Sequence, residues 1–563
     1  MSKKIVIDPI TRIEGHLRIE VEVDENNIIQ EAWASGTLFR GIETILKGRD
    51  PRDAGLIAQR ICGVCTGTHY RASIEAVEDA YKITLPKNAQ IVRNLLSMAL
   101  IIQDHLVHFY HLHAPDYFDV VSALSADPIK ASEEAERYTS HPYRNSPTHL
   151  EAVKERLEGF VKAGRLGPFS EGYWGHPAMK LSPEENLILI SHYLEALRIQ
   201  REMAKTIAIM GGKTPHPQTL VVGGVTNIAD LLNPQRINDF IFGLRDAHDF
   251  VKRAYYPDTL MLVQAYREEI KRGDGRSVGN FFSVGGYLLA DGSELFSRGV
   301  LYNHDFSTLH PFDESKIVER VERAWYKDGT SAHPSEGVTI PDYTDLNEDG
   351  TLKTEGKYSW IKAPRYDGRP MECGPLARMI IGFVAGNPHI KPFVDEFLEK
   401  TSLELIDLCS SAGRNAARAL EALILSEKIF DVASMLLENL KYYDEESWAG
   451  FVFEELPSEG SGRCLMEVPR GVVGHFVNIK DRKILGYQAM VPTTWNASPK
   501  DSENNRGAYE ESLIGLKLAD PSRPLEVLRA IHSYDPCIAC AVHVIDTKGR
   551  RLGEYRLQTS CKI

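Results

Sequence analysis

No run of roughly eighteen consecutive apolar residues occurs in this chain of 563 residues, so no transmembrane helix is expected. The start, Met1-Ser2-Lys3-Lys4-Ile5-Val6, has neither an apolar signal core nor paired arginines. It runs at once into a strand-like segment, and the expectation is a chain with no export signal of its own. Positive charge is not in excess: 65 Lys and Arg stand against 78 Asp and Glu, for a net charge of −13. Such a chain gains nothing from a polyanion, which argues against nucleic acid as a partner. Cysteine is scarce at eight residues, too few for a disulfide framework at this length. Internal repeats and low-complexity tracts are absent. What remains is an ordinary globular composition, 43% hydrophobic and 25% charged, on a chain long enough to bury a large core.

The first forty residues have β-texture. His16 to Val23 reads H-L-R-I-E-V-E-V, the period-two pattern of a half-buried strand. Residues 24–27 supply a turn and residues 28–35 return. Helical spacing then dominates residues 51–82, 86–113, 146–163, 183–210, 233–270 and 391–440. Ser182-Pro183 and Asn233-Pro234 read as helix starts, each a capping residue followed by proline at the first helical position. Residues 274–375, rich in Gly, Pro, Asp and Tyr, read as a long irregular surface segment with short strands. Residues 464–495 return to β-texture with a turn at 480–483, and a last helix lies near 524–532. The expected fold is mainly α with a smaller β part (α+β): a central helical bundle, with β segments at both ends of the chain.

Four cysteines form two Cys-x-x-Cys pairs, in Arg60-Ile61-Cys62-Gly63-Val64-Cys65-Thr66-Gly67-Thr68-His69 and Asp535-Pro536-Cys537-Ile538-Ala539-Cys540-Ala541-Val542-His543. Two intervening residues let the chain turn back and bring both sulfurs to one metal. Each pair alone fits a structural zinc site, a redox dithiol, or a nickel or iron site. Zinc ribbons draw their pairs from nearby segments, whereas these lie almost a whole chain apart. A site joining them forms only after the body has folded, and a chain of this size needs no metal to hold its core. The isolated Cys373, Cys409, Cys464 and Cys561 have no cluster spacing and read as small buried hydrophobes.

R-I-C-G-V-C-T-x-x-H and D-P-C-x-x-C-x-x-H together resemble the paired signatures of the nickel–iron hydrogenase large subunit. Asp8 to His16 (D-P-I-T-R-I-E-G-H) resembles that family's opening motif. Residues 40–43, 172–177, 211–216, 374–378, 468–471 and 491–496 also match, in order from end to end.

The resemblance implies a single domain over 1–543 and a propeptide, 544–563, removed on maturation by an endopeptidase. The two chain ends meet at the metal site. Cys62, Cys65, Cys537 and Cys540 would hold nickel, with Cys65 and Cys540 bridging to an iron that carries carbonyl and cyanide. Some relatives have selenocysteine where Cys537 stands. Cys537 would be the first proton acceptor and Glu14 the relay; without the motif, Glu14 would read as a turn residue paired with Arg12 or Arg18. Arg470 and Thr493 match residues that hydrogen-bond the cyanides, and Asp104 and Asp535 match carboxylates around that arginine. His69 would support a cysteine sulfur, or else cap a helix. Glu43, His543 and the carbonyl near Ala489 match ligands of a second metal, magnesium or iron. The implied activity is reversible oxidation of hydrogen, with electrons passing to an iron–sulfur small subunit and onward to a membrane subunit. The implied home is the periplasmic side of the membrane, reached with the small subunit, with a cytoplasmic home as the alternative. The competing reading is a non-catalytic hydrogen sensor or a zinc-structured relative.

Overall fold

The structure is a computed structural model and describes residues 3–139, 144–165, 167–169 and 173–538. Three antiparallel strands open the chain, β1 (Lys3–Ile7), β2 (Leu17–Val23) and β3 (Ile29–Gly36), with β2 in the middle. The alternation in β2 promises a half-buried strand, but both of its faces are covered. Its polar face is buried because Arg18 donates to Glu20 through Nε at 2.9 Å, while Leu352 N donates to Glu20 Oε1 at 2.9 Å. A buried carboxylate so partnered does not carry the cost of an orphaned charge.

The helical body follows. The stretch of helical spacing over 51–82 is interrupted at the cysteines: short helical turns precede them and α1 (Thr66–Tyr81) begins directly after Cys65. Next comes α2 (Lys87–Val107), which runs on into a π-helical turn at His108–His113. Ser182 caps α3 (Pro183–Gly211) in a full capping box with Glu185. Asn233 caps α4 (Pro234–Phe250) through Gln235 N. The stretch at 391–440 is two helices, Lys391–Thr401 and α5 (Ser411–Tyr442), parted by Ser402 at φ 52° and restarted by the Ser410 cap.

Residues 274–375 differ from expectation in part. They contain an antiparallel hairpin, β4 (Phe281–Leu288) with β5 (Glu294–Leu301), and its Phe281, Phe282, Phe296 and Leu301 are fully buried. Further along, Tyr358 and Ile361 are buried as well. The hairpin and the last residues of the segment thus belong to the core, while much of 303–357 lies exposed or half-buried, as expected.

The C-terminal sheet is β6 (Gly460–Val468), β7 (Gly471–Lys480) and β8 (Lys483–Met490), antiparallel in that order. It packs on α1. The helix α6 (Leu525–His532) then leads to the second cysteine motif. There the chain ends meet: Glu14 N donates to Pro536 O at 3.2 Å, and Ile538 N donates to Glu14 O at 2.7 Å. The observed fold is α+β, as read from the sequence.

Candidate metal centre

Cys62 leaves a 3-10 turn in extended conformation, and Cys65 caps the start of α1. Val64 N and Cys65 N both lie 3.2 Å from Cys62 Sγ, so the sulfur closes the turn that brings Cys65 back beside it. From the other end of the chain, Cys537 Sγ stands 3.1 Å from Cys62 Sγ and 3.9 Å from Cys65 Sγ. All three sulfurs are buried and lie within 4.8 Å of one another. Sulfurs this close can share one metal at bond lengths of about 2.3 Å, and the same spacing would set ionised thiolates against one another without a cation. Cys540 and His543 lie outside the described residues.

A small cavity opens beside the sulfurs. Its walls are Cys65, Cys537, Thr68, His69, Arg470, Thr493 and the apolar Val468, Pro469, Val473 and Pro492. Soft donors, an apolar lining and polar side chains able to donate, Arg470 and Thr493 among them, fit a metal bearing small ligands that accept hydrogen bonds.

Arg470 sits in the tight turn between β6 and β7. Gly471 (φ 133°) and Gly374 (φ 124°) lie back to back beneath it: a Cβ on Gly471 would strike Cys373, and one on Gly374 would come within 2.9 Å of Arg470 O. Only glycine allows that approach. The guanidinium reaches Asp104 Oδ2 at 3.2 Å through Nη1, Asp535 O at 3.0 Å through Nε, and Asp535 Oδ1 at 3.0 Å through Nη2. Asp104 comes from α2, and burial pushes its carboxyl up to about 7 against the pull of Arg470. Burial likewise raises Asp535, opposed by Arg470 and Arg418. Asp535 holds a left-handed conformation, φ 58°, just before Pro536 and Cys537.

Thr493 Oγ1 accepts from Cys537 N at 3.2 Å, so the hydroxyl orients the cysteine backbone as well as facing the cavity. Glu14 Oε2 is 3.4 Å from Cys537 Sγ, a contact that joins residues 523 positions apart. His69 Nδ1 lies 3.1 Å from His475 Nε2, and His475 Nδ1 in turn faces the Tyr487 hydroxyl. The sequence reading missed His475 and Tyr487; a histidine on the inward face of a strand was the one signal available.

Glu43 lies in a second buried cluster. Its Oε1 accepts from Ala489 N at 2.9 Å, and its Oε2 accepts from the Thr339 hydroxyl. The recorded contact from Ala489 to Glu43 is thus its N–H, whereas the expected ligand was its carbonyl. Gln488, Lys362 and Glu319 complete the cluster, with Lys362 Nζ 2.6 Å from Gln488 Oε1 and 3.2 Å from Glu319 Oε2. No motif pointed to these three. Seven residues expected at the first site, Cys62, Cys65, Cys537, Glu14, Arg470, Asp104 and Asp535, are brought together, and Thr493 and His69 line the same cavity; Glu43 and Ala489 meet at the second.

A family model described as nickel-dependent hydrogenase matches residues 40–543, and one described as HoxL-like matches residues 4–34. The quinone-reactive Ni/Fe-hydrogenase large chain of Wolinella succinogenes is 48% identical over 99% of this chain and 98% of its own. The hydrogenase-2 large chain of Escherichia coli is 43% identical over 98% and 99%. Among solved structures, the reduced Ni-Fe-Se hydrogenase of D. vulgaris Hildenborough superposes with a TM-score of 0.78 at 33% identity, covering 96% of this chain and all of that one.

Proposed function

Because the chain belongs to the nickel-dependent hydrogenase family, as the catalytic large subunit of an enzyme that oxidises hydrogen, we propose that Cys62, Cys65, Cys537 and Cys540 hold its nickel–iron centre, with Cys65 and Cys540 shared between the metals. The observation that carries this is the convergence of three buried thiols from opposite ends of the chain onto one small cavity. When bound, the centre supplies the heterolytic cleavage of hydrogen and takes up its electrons.

The chain's own residues do the rest. Cys537 receives the proton at Sγ and hands it to Glu14 Oε2. Arg470 and Thr493 would donate to cyanide on an iron that also carries carbonyl, and Asp104 and Asp535 keep the guanidinium aimed at the cavity. His69 orients a sulfur from α1. The apolar wall keeps water from the sulfurs. Glu43, the Ala489 carbonyl and His543 would hold the second metal, magnesium or iron. That Glu43 here faces an N–H and a hydroxyl is compatible with a ligand role, since each carboxylate oxygen has a further lone pair.

The relatives are named as large chains or subunits, so the chain works with a small subunit. Iron–sulfur clusters in that partner carry the electrons away and onward to a membrane subunit; the Wolinella relative is named quinone-reactive, which supports quinone as the acceptor. No helix among the described residues is long and apolar enough to cross a membrane. The reading places the chain on the periplasmic side of the membrane, reached with the small subunit, and a cytoplasmic enzyme is the alternative outcome of a localisation experiment.

Metal analysis of active protein tests the centre. About one nickel and one catalytic iron per chain are expected, and Cys65→Ser should abolish assembly, because that sulfur serves both metals. Stoichiometric zinc with no nickel in active protein would end this reading.

A further inference from the structure

The loop that carries Glu14 is anchored by more than the sheet beside it. Arg12, two residues earlier, adopts a left-handed conformation at φ 55°. Its Nη1 donates to Leu112 O at 2.7 Å and its Nη2 pairs with Asp116 Oδ1. The other oxygen of Asp116 accepts from His532 Nδ1 at 2.6 Å, and His532 Nε2 donates to Thr11 O at 2.8 Å. Arg529 completes the arrangement by donating to the Asp116 main-chain carbonyl through Nε and Nη2, at 2.9 and 2.7 Å.

Asp116 and His532 are almost wholly buried. Burial would raise the Asp116 carboxyl, but Arg12 and His532 outweigh it and hold it well below the usual carboxylate range. Both ring nitrogens of His532 face oxygens, a carboxylate and a carbonyl. One ring ties the end of α6, the Asp116 turn and the Thr11 backbone together.

The clasp lies between the two segments whose relative position matters most. Arg12 is two residues from Glu14, and His532 is five from Cys537. Past the clasp, the paired backbone bonds of Glu14 with Pro536 and Ile538 leave the carboxyl 3.4 Å from the sulfur. Proton transfer is steeply sensitive to such distances.

We propose that Asp116 is a positioning residue which, by gripping Arg12 and His532, sets the Glu14 carboxyl against Cys537 Sγ for proton transfer. The step it serves breaks the Cys537 S–H bond and forms an O–H bond on Glu14, leaving a thiolate and a neutral carboxyl. The proposal rests on the reading of Glu14 as the relay.

The test compares Asp116→Asn, Arg12→Lys and Glu14→Gln with wild type in the assembled enzyme. Asp116→Asn and Arg12→Lys should keep nickel and iron, and keep KM for hydrogen within about twofold. They should lose about 10- to 100-fold in kcat, the scale of a misplaced reacting group, and enlarge the solvent deuterium isotope effect. Amide hydrogen exchange in the peptide spanning residues 8–18 should rise in both. Glu14→Gln should slow turnover without that rise. A wild-type kcat and isotope effect in Asp116→Asn, beside a slow Glu14→Gln, overturns the clasp alone. Loss of nickel from both clasp variants also overturns it, because the contacts would then hold the fold and not the carboxyl. Wild-type turnover in Glu14→Gln overturns the relay reading itself.

Discussion

Glu510 illustrates how burial acts on a single residue here. Ala34 N and the Tyr358 hydroxyl both donate to its Oε1, and burial pushes its carboxyl up to about 7. The unfolded carboxyl titrates near 4.5, so the folded state favours the proton. The stability this residue contributes is full below the unfolded value, falls as pH rises, and is lost once the folded carboxyl ionises above about 7. The span is on the order of 3 kcal/mol at most. Glu510→Gln mimics the neutral acid, so its thermal midpoint should exceed that of wild type at a pH of about 8, with the gap shrinking toward about 5. Equal destabilisation at both values would refute the account. Nothing in the local sequence Ala508-Tyr509-Glu510-Glu511 separates the buried glutamate from its half-buried neighbour; the packing of α-helical residues 508–513 against β3 decides it. Glu14 stands at the opposite pole: its motif marked it, and the structure sets it at the sulfur.

At the scale of elements, caps were legible and breaks were not. Ser182 and Asn233 start helices as read, because a side-chain oxygen before proline satisfies orphan N–H groups whatever the tertiary setting. The break at 62–65 depends on a sulfur taking two backbone N–H groups, which periodicity does not register. The contact of β6 with α1 gives a prediction. A Cβ on Gly462 would fall on main-chain atoms of Ala76 and Ala80, which cannot yield without moving the helix. Gly462→Ala should cost about 2–3 kcal/mol, the upper range for overpacking. Since α1 begins at Cys65 and β6 leads to Arg470, nickel content should fall with it. Thermal unfolding and metal analysis check both, and an unchanged midpoint would show that the two elements can part cheaply.

For the whole molecule, the joining of its ends bears on the tail. Residues 544–563 are expected to be a propeptide cut after His543, and they lie outside the described residues. Five of those twenty are lysine or arginine. Drawing them toward the buried sulfurs would be costly unless they were paired. Cleavage between His543 and Val544 should therefore precede closure of the site. Intact mass of active enzyme should end at His543, while protein retaining Ile563 should be inactive and not stably bound to the small subunit. Full activity from the 563-residue chain would refute the gating role.

The sequence by itself determined the chemistry. Two cysteine pairs of distinctive context and a series of ordered motifs carry the family resemblance that assigns the candidate donors, because residue identity and short-range spacing are properties of the chain. It also determined the helix starts and the edge β-texture, which rest on local capping and alternation. Tertiary packing alone settles that Cys537 stands 3.1 Å from Cys62, that Arg470 is gripped by two carboxylates, and that the hairpin at 281–301 is buried. Those facts join segments hundreds of positions apart. Their energies come from excluding water and pairing charge across the core, and no window of sequence contains both partners.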